Sequence, residues 1–392
     1  MSNTANVKEQ ISRTLLALLV AVLSPSVAWS DFAPEPLGVV ETLPAQLPED
    51  WVLVHDFSFF HMLEGKVLVI DPTQDNPGAQ YKGMMTASFI SAFASSAQRN
   101  EYYIAETFYS RGGRGGERTD VVAIYDPSTL SVAAEVVIPS KRITGMPKPV
   151  AAQLIGNDRF MGVYNFTPSQ SVSIVDLESR TFVEEISTAG CSFVIPNGER
   201  SFSSICSNGS FLTTHLDKSG KAVGTSRTES VFSVDDDPVF ETPGFNGNGA
   251  HFVTFAGRVL PVDTTGKELS FGEVWWLTES DERNWRPGGM NVITTDGNGL
   301  AYVLMNPEGG EGTHKDGGMQ VWVYDLQQRK RLRQIELQSW GLSLGMSSSK
   351  TSPHLFVTNA EMAVDMYNAA TGEFVKTLNT GAATPFLVYG TR

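Results

Sequence analysis

From residue 66 onward one phrase recurs along the chain. It is a short run of β-branched, aromatic and aliphatic residues ending in Asp or Asn, then a polar turn, then a second β-rich run. The instances are KVLVID ending at Asp71, VVAIYD at Asp126, VSIVD at Asp176, TTHLD at Asp217, VLPVD at Asp263, VWVYD at Asp325 and VDMYN at Asn368. Among the runs that follow are VAAEVVIP, TFVEEIS, RLRQIEL and EFVKTLN, in which apolar and polar positions alternate in part. Such alternation marks half-buried strands. An Asp followed by Ser, Thr or Gly marks the turn, because its carboxylate bonds nearby backbone and glycine tolerates positive φ. Successive phrases lie 55, 50, 41, 46, 62 and 43 residues apart. No segment sustains a helical period; the best helical candidate is a turn or two around residues 277–285. Repeats of about 40–50 residues with all-β content are the signature of propeller blades. The pattern therefore predicts an all-β fold, a seven-bladed β-propeller in a single domain over residues 31–392. A flat β-sandwich would not repeat one hairpin phrase seven times.

A different pattern opens the chain. Lys8 and Arg13 precede the apolar run Leu15–Leu23, and Ala28-Trp29-Ser30 offers small residues suited to a signal-peptidase site. A positive start, a short apolar stretch and a small-residue exit predict a secretory signal over residues 1–30. The run is well short of the roughly 20 residues that span a bilayer. The mature chain is expected to start near Asp31 and to be exported.

Charge and cysteine content narrow the partners. The net charge is −14 with 43 acidic and 29 basic residues and no basic run, which argues against nucleic acid or an anionic membrane surface. Only 18% of residues are charged, and 41% are hydrophobic, which excludes a disordered chain. Two cysteines exclude a Cys-rich zinc module or an iron–sulfur cluster. Cys191 and Cys206 flank a Pro196-Asn197-Gly198 turn, so two strands joined there bring them together. In an oxidising compartment they are expected to form a disulfide.

The usual catalytic constellations are missing: there is no Gly-x-Ser-x-Gly elbow, no His-Glu-x-x-His and no Cys-x-x-Cys-His. The six histidines are scattered singly, and Asp235-Asp236-Asp237-Pro238 lacks the ligand spacing of a calcium loop. No metal site is expected. Three segments are unusual. Arg111-Gly-Gly-Arg114-Gly-Gly-Glu117-Arg118-Thr-Asp120 places three arginines in a glycine-rich loop of an acidic protein. It is either an exposed hairpin tip, with Arg118 paired to Asp120 or Glu117, or a docking loop, since Arg forks are favoured at interfaces. Asn284–Gly289 sets a Trp before a turn, most simply as packing over a blade edge. Glu311–Lys315 reads as a long loop between strands, the kind of element that carries function.

These segments, in order, resemble the heavy (α) subunit of the quinoprotein amine dehydrogenases, the methylamine and aromatic amine enzymes. The stretches that carry the resemblance are Arg111–Asp120 running into VVAIYDPSTL, the Cys191…Cys206 pair, FSVDDDP (Phe232–Pro238), WRPGG (Trp285–Gly289) and EGTHK (Glu311–Lys315). EGTHK and FSVDDDP look nearer to the aromatic amine enzymes. The resemblance implies a seven-bladed propeller in a periplasmic α2β2 heterotetramer. It implies no cofactor in this chain; tryptophan tryptophylquinone belongs to the small (β) subunit, together with the catalytic base. It implies oxidation of a primary amine to aldehyde and ammonia, with electrons passed to a small blue copper protein. No catalytic residue is then expected here. One residue carries over: in the family a phenylalanine shortly after a Gly-Met pair reaches the mouth of the substrate channel, and Gly83-Met84 places Phe89 at that offset. Arg111, Arg114 and Arg118 are the candidates for the subunit interface.

Two other classes remain in view. A non-catalytic periplasmic propeller acting as a binding or scaffold module shares fold and composition. An autonomous hydrolase or lyase needs a convergent acid–base set or metal site, and none is legible.

Overall fold

Each recurring phrase occupies the third strand of a four-strand unit, and its terminal Asp or Asn does what the turn chemistry requires. The Oδ1 atoms of Asp71, Asp126, Asp176, Asp217, Asp263, Asp325 and Asn368 accept the backbone N–H two residues on, at 2.7–3.1 Å. The side chain thus closes each hairpin turn locally. The computed structural model describes residues 42–60, 64–247 and 249–392. The proposed signal and the start of the mature chain lie outside the described residues. Contacts group Glu41–Arg392 into one unit.

All sheets are antiparallel. Five are discrete blades, each beginning with an inner strand: Pro385–Gly390, Ala92–Ser96, Ala152–Ile155, Cys191–Asn197 and Gly244–Asn246. In the first, the last strand of the chain pairs with Val52–Asp56, so the two ends of the described chain close the fold. In the fifth, the outer strand is broken into Ser270–Phe271 and Trp275–Trp276, both paired with Arg258–Asp263.

The expectation of seven blades is corrected here. Beyond the five discrete blades, the last two phrases share one eight-stranded sheet. The joining strand, Lys330–Met346, runs for 17 residues. Its first half pairs with Gly318–Asp325 and its second half, from Gly341, with His354–Asn359. Residues 330–346 contain no proline and no Asx-Gly pair to end the strand; Gly341 sits at the handover, where the pairing register shifts on both sides without a break.

The core follows the pleat. Alternate side chains of neighbouring sheets interlock, as where Tyr103, Val122 and Ile124 of one blade join Met161, Val163 and Val175 of the next. The expected helical turns near 277–285 reduce to a single 3-10 turn, Ser280–Glu282.

Candidate functional site

In an antiparallel four-strand unit, the loop between strands two and three leaves from the same end as the connection to the next unit. Phe89 lies on the second type of connection, between Tyr81–Ser88 and Ala92–Ser96, and the Arg111 loop lies on the first type. Phe232–Pro238 and Trp285–Gly289 fall on outer connections, and Glu311–Lys315 on a strand two-to-three loop. The topology therefore gathers every segment that was unusual in sequence onto one end of the strands.

Phe89 is half-buried there, in an aromatic cluster. Its ring packs against the buried group Phe57, Ile90, Phe386 and Leu387. Phe59 lies 6.4 Å from Phe89, 5.8 Å from Phe386 and 5.7 Å from Phe60, centroid to centroid. Phe59 and Phe60 are 41% and 67% exposed, so the cluster presents rings to the outside. Rigid aromatic surface of this kind suits contact with an apolar or aromatic group. The Phe57–Phe60 run is held from beneath. Asp56, fully buried, accepts from Ser58 N at 2.9 Å, Ala383 N at 2.7 Å and Thr384 N at 2.9 Å. Thr384 Oγ1 in turn accepts from Phe59 N at 2.7 Å.

A buried polar network runs beside Phe89. Asp120 accepts a bidentate pair from Arg118 (Nε at 2.8 Å, Nη2 at 2.7 Å), the N–H of Arg142 at 2.9 Å and the hydroxyl of Thr107 at 2.9 Å. Arg142, 2% exposed, donates from Nε to Thr107 Oγ1 at 3.0 Å and from Nη1 to the carbonyls of Ile90 and Ile143, each at 2.8 Å. Glu106, also 2% exposed, accepts from Ser88 N at 2.9 Å. Burial pushes its carboxyl up to about 7, against the pull of that N–H and of Arg142. On the other side, His55 Nε2 bonds Ser91 Oγ at 2.9 Å, and burial pulls this imidazole down to about 3, so it is neutral.

The sequence candidates therefore separate. Arg118 and Phe89 are linked through Asp120 and Arg142. Arg118 pairs inside the chain, as its hairpin reading required. Arg111, just before the 3-10 turn Gly112–Arg114, and Arg114, at its end, are exposed and form no ion pair among the described residues. Cys191 and Cys206 are bonded to each other across paired strands, with Arg227 Nη1 at 2.9 Å from Cys206 Sγ. Sequence reasoning missed Glu106, Arg142, His55 and the Phe57–Phe60 run. Only the last left a signal, three phenylalanines in four residues after a strand.

The remaining segments are held by local contacts. Asp237 accepts from Ala256 N and Arg258 Nε, each at 2.7 Å, and no group of acidic, His or Cys residues could hold a metal among the described residues. Gly289 N donates to His314 O at 2.9 Å, and a Cβ on Gly288 would sit 2.8 Å from Gly317 O. WRPGG thus needs its glycines to let the EGTHK loop approach. Trp285, half-buried, packs on Trp322 at 5.2 Å; Trp322 is fully buried and its indole N–H is donated to Gln320. A cavity of about 860 Å³ lies among the inner strands, lined in part by Phe93, Gln153, Asn291, Met346 and Tyr389; Phe89 does not line it.

Comparison with known proteins agrees with the sequence resemblance. The family model of the methylamine dehydrogenase heavy chain matches residues 49–391. The methylamine dehydrogenase heavy chain of Methylobacillus flagellatus is 29% identical over 376 residues, 91% of each chain. That of Methylorubrum extorquens is 26% identical over 320 residues, 80% of this chain and 77% of its own. Among solved structures, the periplasmic gluconolactonase of Pseudomonas aeruginosa superposes with a TM-score of 0.58 at 11% identity, covering 86% of this chain and 98% of the other. That likeness shows the fold alone. The match over nearly the whole described chain establishes that this protein belongs to the methylamine dehydrogenase heavy chain family.

Proposed function

We propose that this chain is the heavy subunit of a periplasmic amine dehydrogenase. It assembles with a small subunit as an α2β2 heterotetramer and supports oxidation of a primary amine to aldehyde and ammonia. The observation that carries the reading is the family match over residues 49–391. Tryptophan tryptophylquinone on the small subunit supplies the redox chemistry, and a small blue copper protein takes the electrons. This chain supplies the wall of the substrate entrance: Phe89, backed by Phe57, Ile90 and Phe386, with Phe59 beside it.

Aromatic amines are the proposed substrates in preference to methylamine. The exposed ring cluster and the EGTHK and FSVDDDP segments support that choice, while the name of the relatives favours methylamine as the second reading. The test is the ratio of kcat/KM for phenylethylamine to that for methylamine in the assembled enzyme. A ratio above one supports the aromatic reading, and Phe89→Ala should shift it by about 1–3 kcal/mol, the scale of a pocket-volume change. A ratio below one assigns the enzyme to methylamine. An unchanged ratio in Phe89→Ala removes Phe89 from the entrance.

A further inference from the structure

The three residues after the strand Tyr81–Ser88 turn sharply into the next blade, and the turn is strained. Ile90, a β-branched residue, sits at φ +47°, a region such side chains rarely adopt. Conformations of this kind persist where the surroundings over-determine them. Here they do. Ser88 N donates to Glu106 at 2.9 Å, and Ser88 Oγ accepts from Thr107 N at 2.8 Å. The Ile90 carbonyl accepts from Arg142 Nη1, and Ser91 Oγ meets His55 Nε2 at 2.9 Å. Ser88, Ile90 and Ser91 are thus each bonded to a group outside the turn, while among the described residues Phe89 is held by its ring contacts.

Arg142 is the centre of this arrangement. It lies 52 residues from Ile90 in sequence and 35 from Thr107, and its bonds tie the turn to the adjacent blade and to the Asp120–Arg118 pair. A buried guanidinium is costly to keep, and its Nη2 has no hydrogen-bond partner among the described residues. A packed apolar side chain would fill the same space without that cost. What an apolar residue would not do is fix the Ile90 carbonyl and Thr107 in one geometry, which the planar fork of arginine does.

We propose that Arg142, acting with Thr107, is a positioning residue that sets amine selectivity by fixing the orientation of Phe89 at the substrate entrance. The proposal rests on the reading of Phe89 as part of that entrance. Arg142 touches no substrate; it acts through the turn.

The test uses the assembled heavy–small subunit enzyme with phenylethylamine and methylamine as probes. The variants are Arg142→Met, Arg142→Lys and Thr107→Val, each made alone and combined with Phe89→Ala. Thr107→Val removes one hydroxyl and keeps the shape, so it remains informative if the arginine variants fail to assemble. With Phe89 present, the variants should change the kcat/KM ratio of the two amines by about tenfold, the scale of a pocket change. Arg142→Lys should shift it in the same direction as Arg142→Met, because the charge is kept but the fork is lost. With Phe89→Ala as background the same changes should move the ratio less than twofold, since sites that act through one group are non-additive. Hydrogen exchange in the peptide containing residues 88–91 should speed up about tenfold in all three variants. If Phe89→Ala shifts the ratio while Thr107→Val and the Arg142 variants leave it alone, the positioning role is overturned and the Phe89 reading stands. If Phe89→Ala also leaves it alone, both fall.

Discussion

Glu106→Gln should stabilise this protein, and by an amount that depends on pH in a defined way. The folded state holds the Glu106 carboxyl at about 7, above the ordinary 4.5, because the group is buried. Arg142 attracts its charged form and Glu135 opposes it; Tyr125 feels its charge in return. Below about pH 4.5 both folded and unfolded chains carry the proton and the site is neutral with respect to stability. Between 4.5 and 7 the unfolded chain releases the proton while the folded chain keeps it, so stability falls as pH rises. Above 7 the full difference is expressed, on the order of 3 kcal/mol for a shift of this size. Glutamine is neutral at every pH and keeps an oxygen for Ser88 N. Its advantage over the wild-type chain should therefore grow by about 2.5 kcal/mol between pH 5 and pH 8. Urea unfolding of both proteins at the two pH values, followed by tryptophan fluorescence, measures this directly. A stability difference that is the same at pH 5 and pH 8 would refute the assignment of a proton to buried Glu106.

Other outcomes follow from the same geometry. Replacing Cys191 and Cys206 by Ser should cost about 3 kcal/mol for opening a loop of this size, read as a lower urea midpoint; equal midpoints would mean the bond adds nothing. Arg118→Ala should destabilise the chain by about 3 kcal/mol, because it leaves the carboxylate of Asp120 buried without its ion-pair partner. Arg111→Ala with Arg114→Ala should leave chain stability unchanged and weaken assembly with the small subunit, most visibly at low salt. Unchanged assembly in that double variant would reduce the loop to an exposed hairpin tip.

The strand order was legible because it is written in local chemistry. Alternation identifies a half-buried strand, and Asp126 or Asp217 closes its turn with bonds to residues two to four positions away. The cysteine pairing was legible for the same reason, since the two thiols end neighbouring strands of one hairpin. The number of separate sheets was not. Whether Lys330–Met346 breaks or continues depends on pairing with strands on either side; Gly341 marks an irregularity there, but a lone glycine does not tell a bulge from a strand end. The support of Phe89 was hidden for a different reason. Glu106, Arg142 and His55 are single polar residues whose bonds to Ser88, Ile90 and Ser91 span 18, 52 and 36 positions, and no local pattern records such pairings. The two halves of the Arg111–Asp120 segment also had different fates: Arg118 is near enough to Asp120 to pair on one strand, whereas Arg111 and Arg114 sit beyond the strand end.

On the function proposed above, this chain supports amine oxidation only together with a quinone-bearing small subunit. The direct measurement is amine-dependent dye reduction, with the visible spectrum, for three preparations: this chain alone, the small subunit alone, and the two co-expressed and purified through a tag on this chain. This chain alone is expected to show neither quinone absorbance nor turnover, and the co-purified complex to show both. Amine oxidation by this chain alone, or failure of a small subunit to co-purify and restore activity, would contradict it.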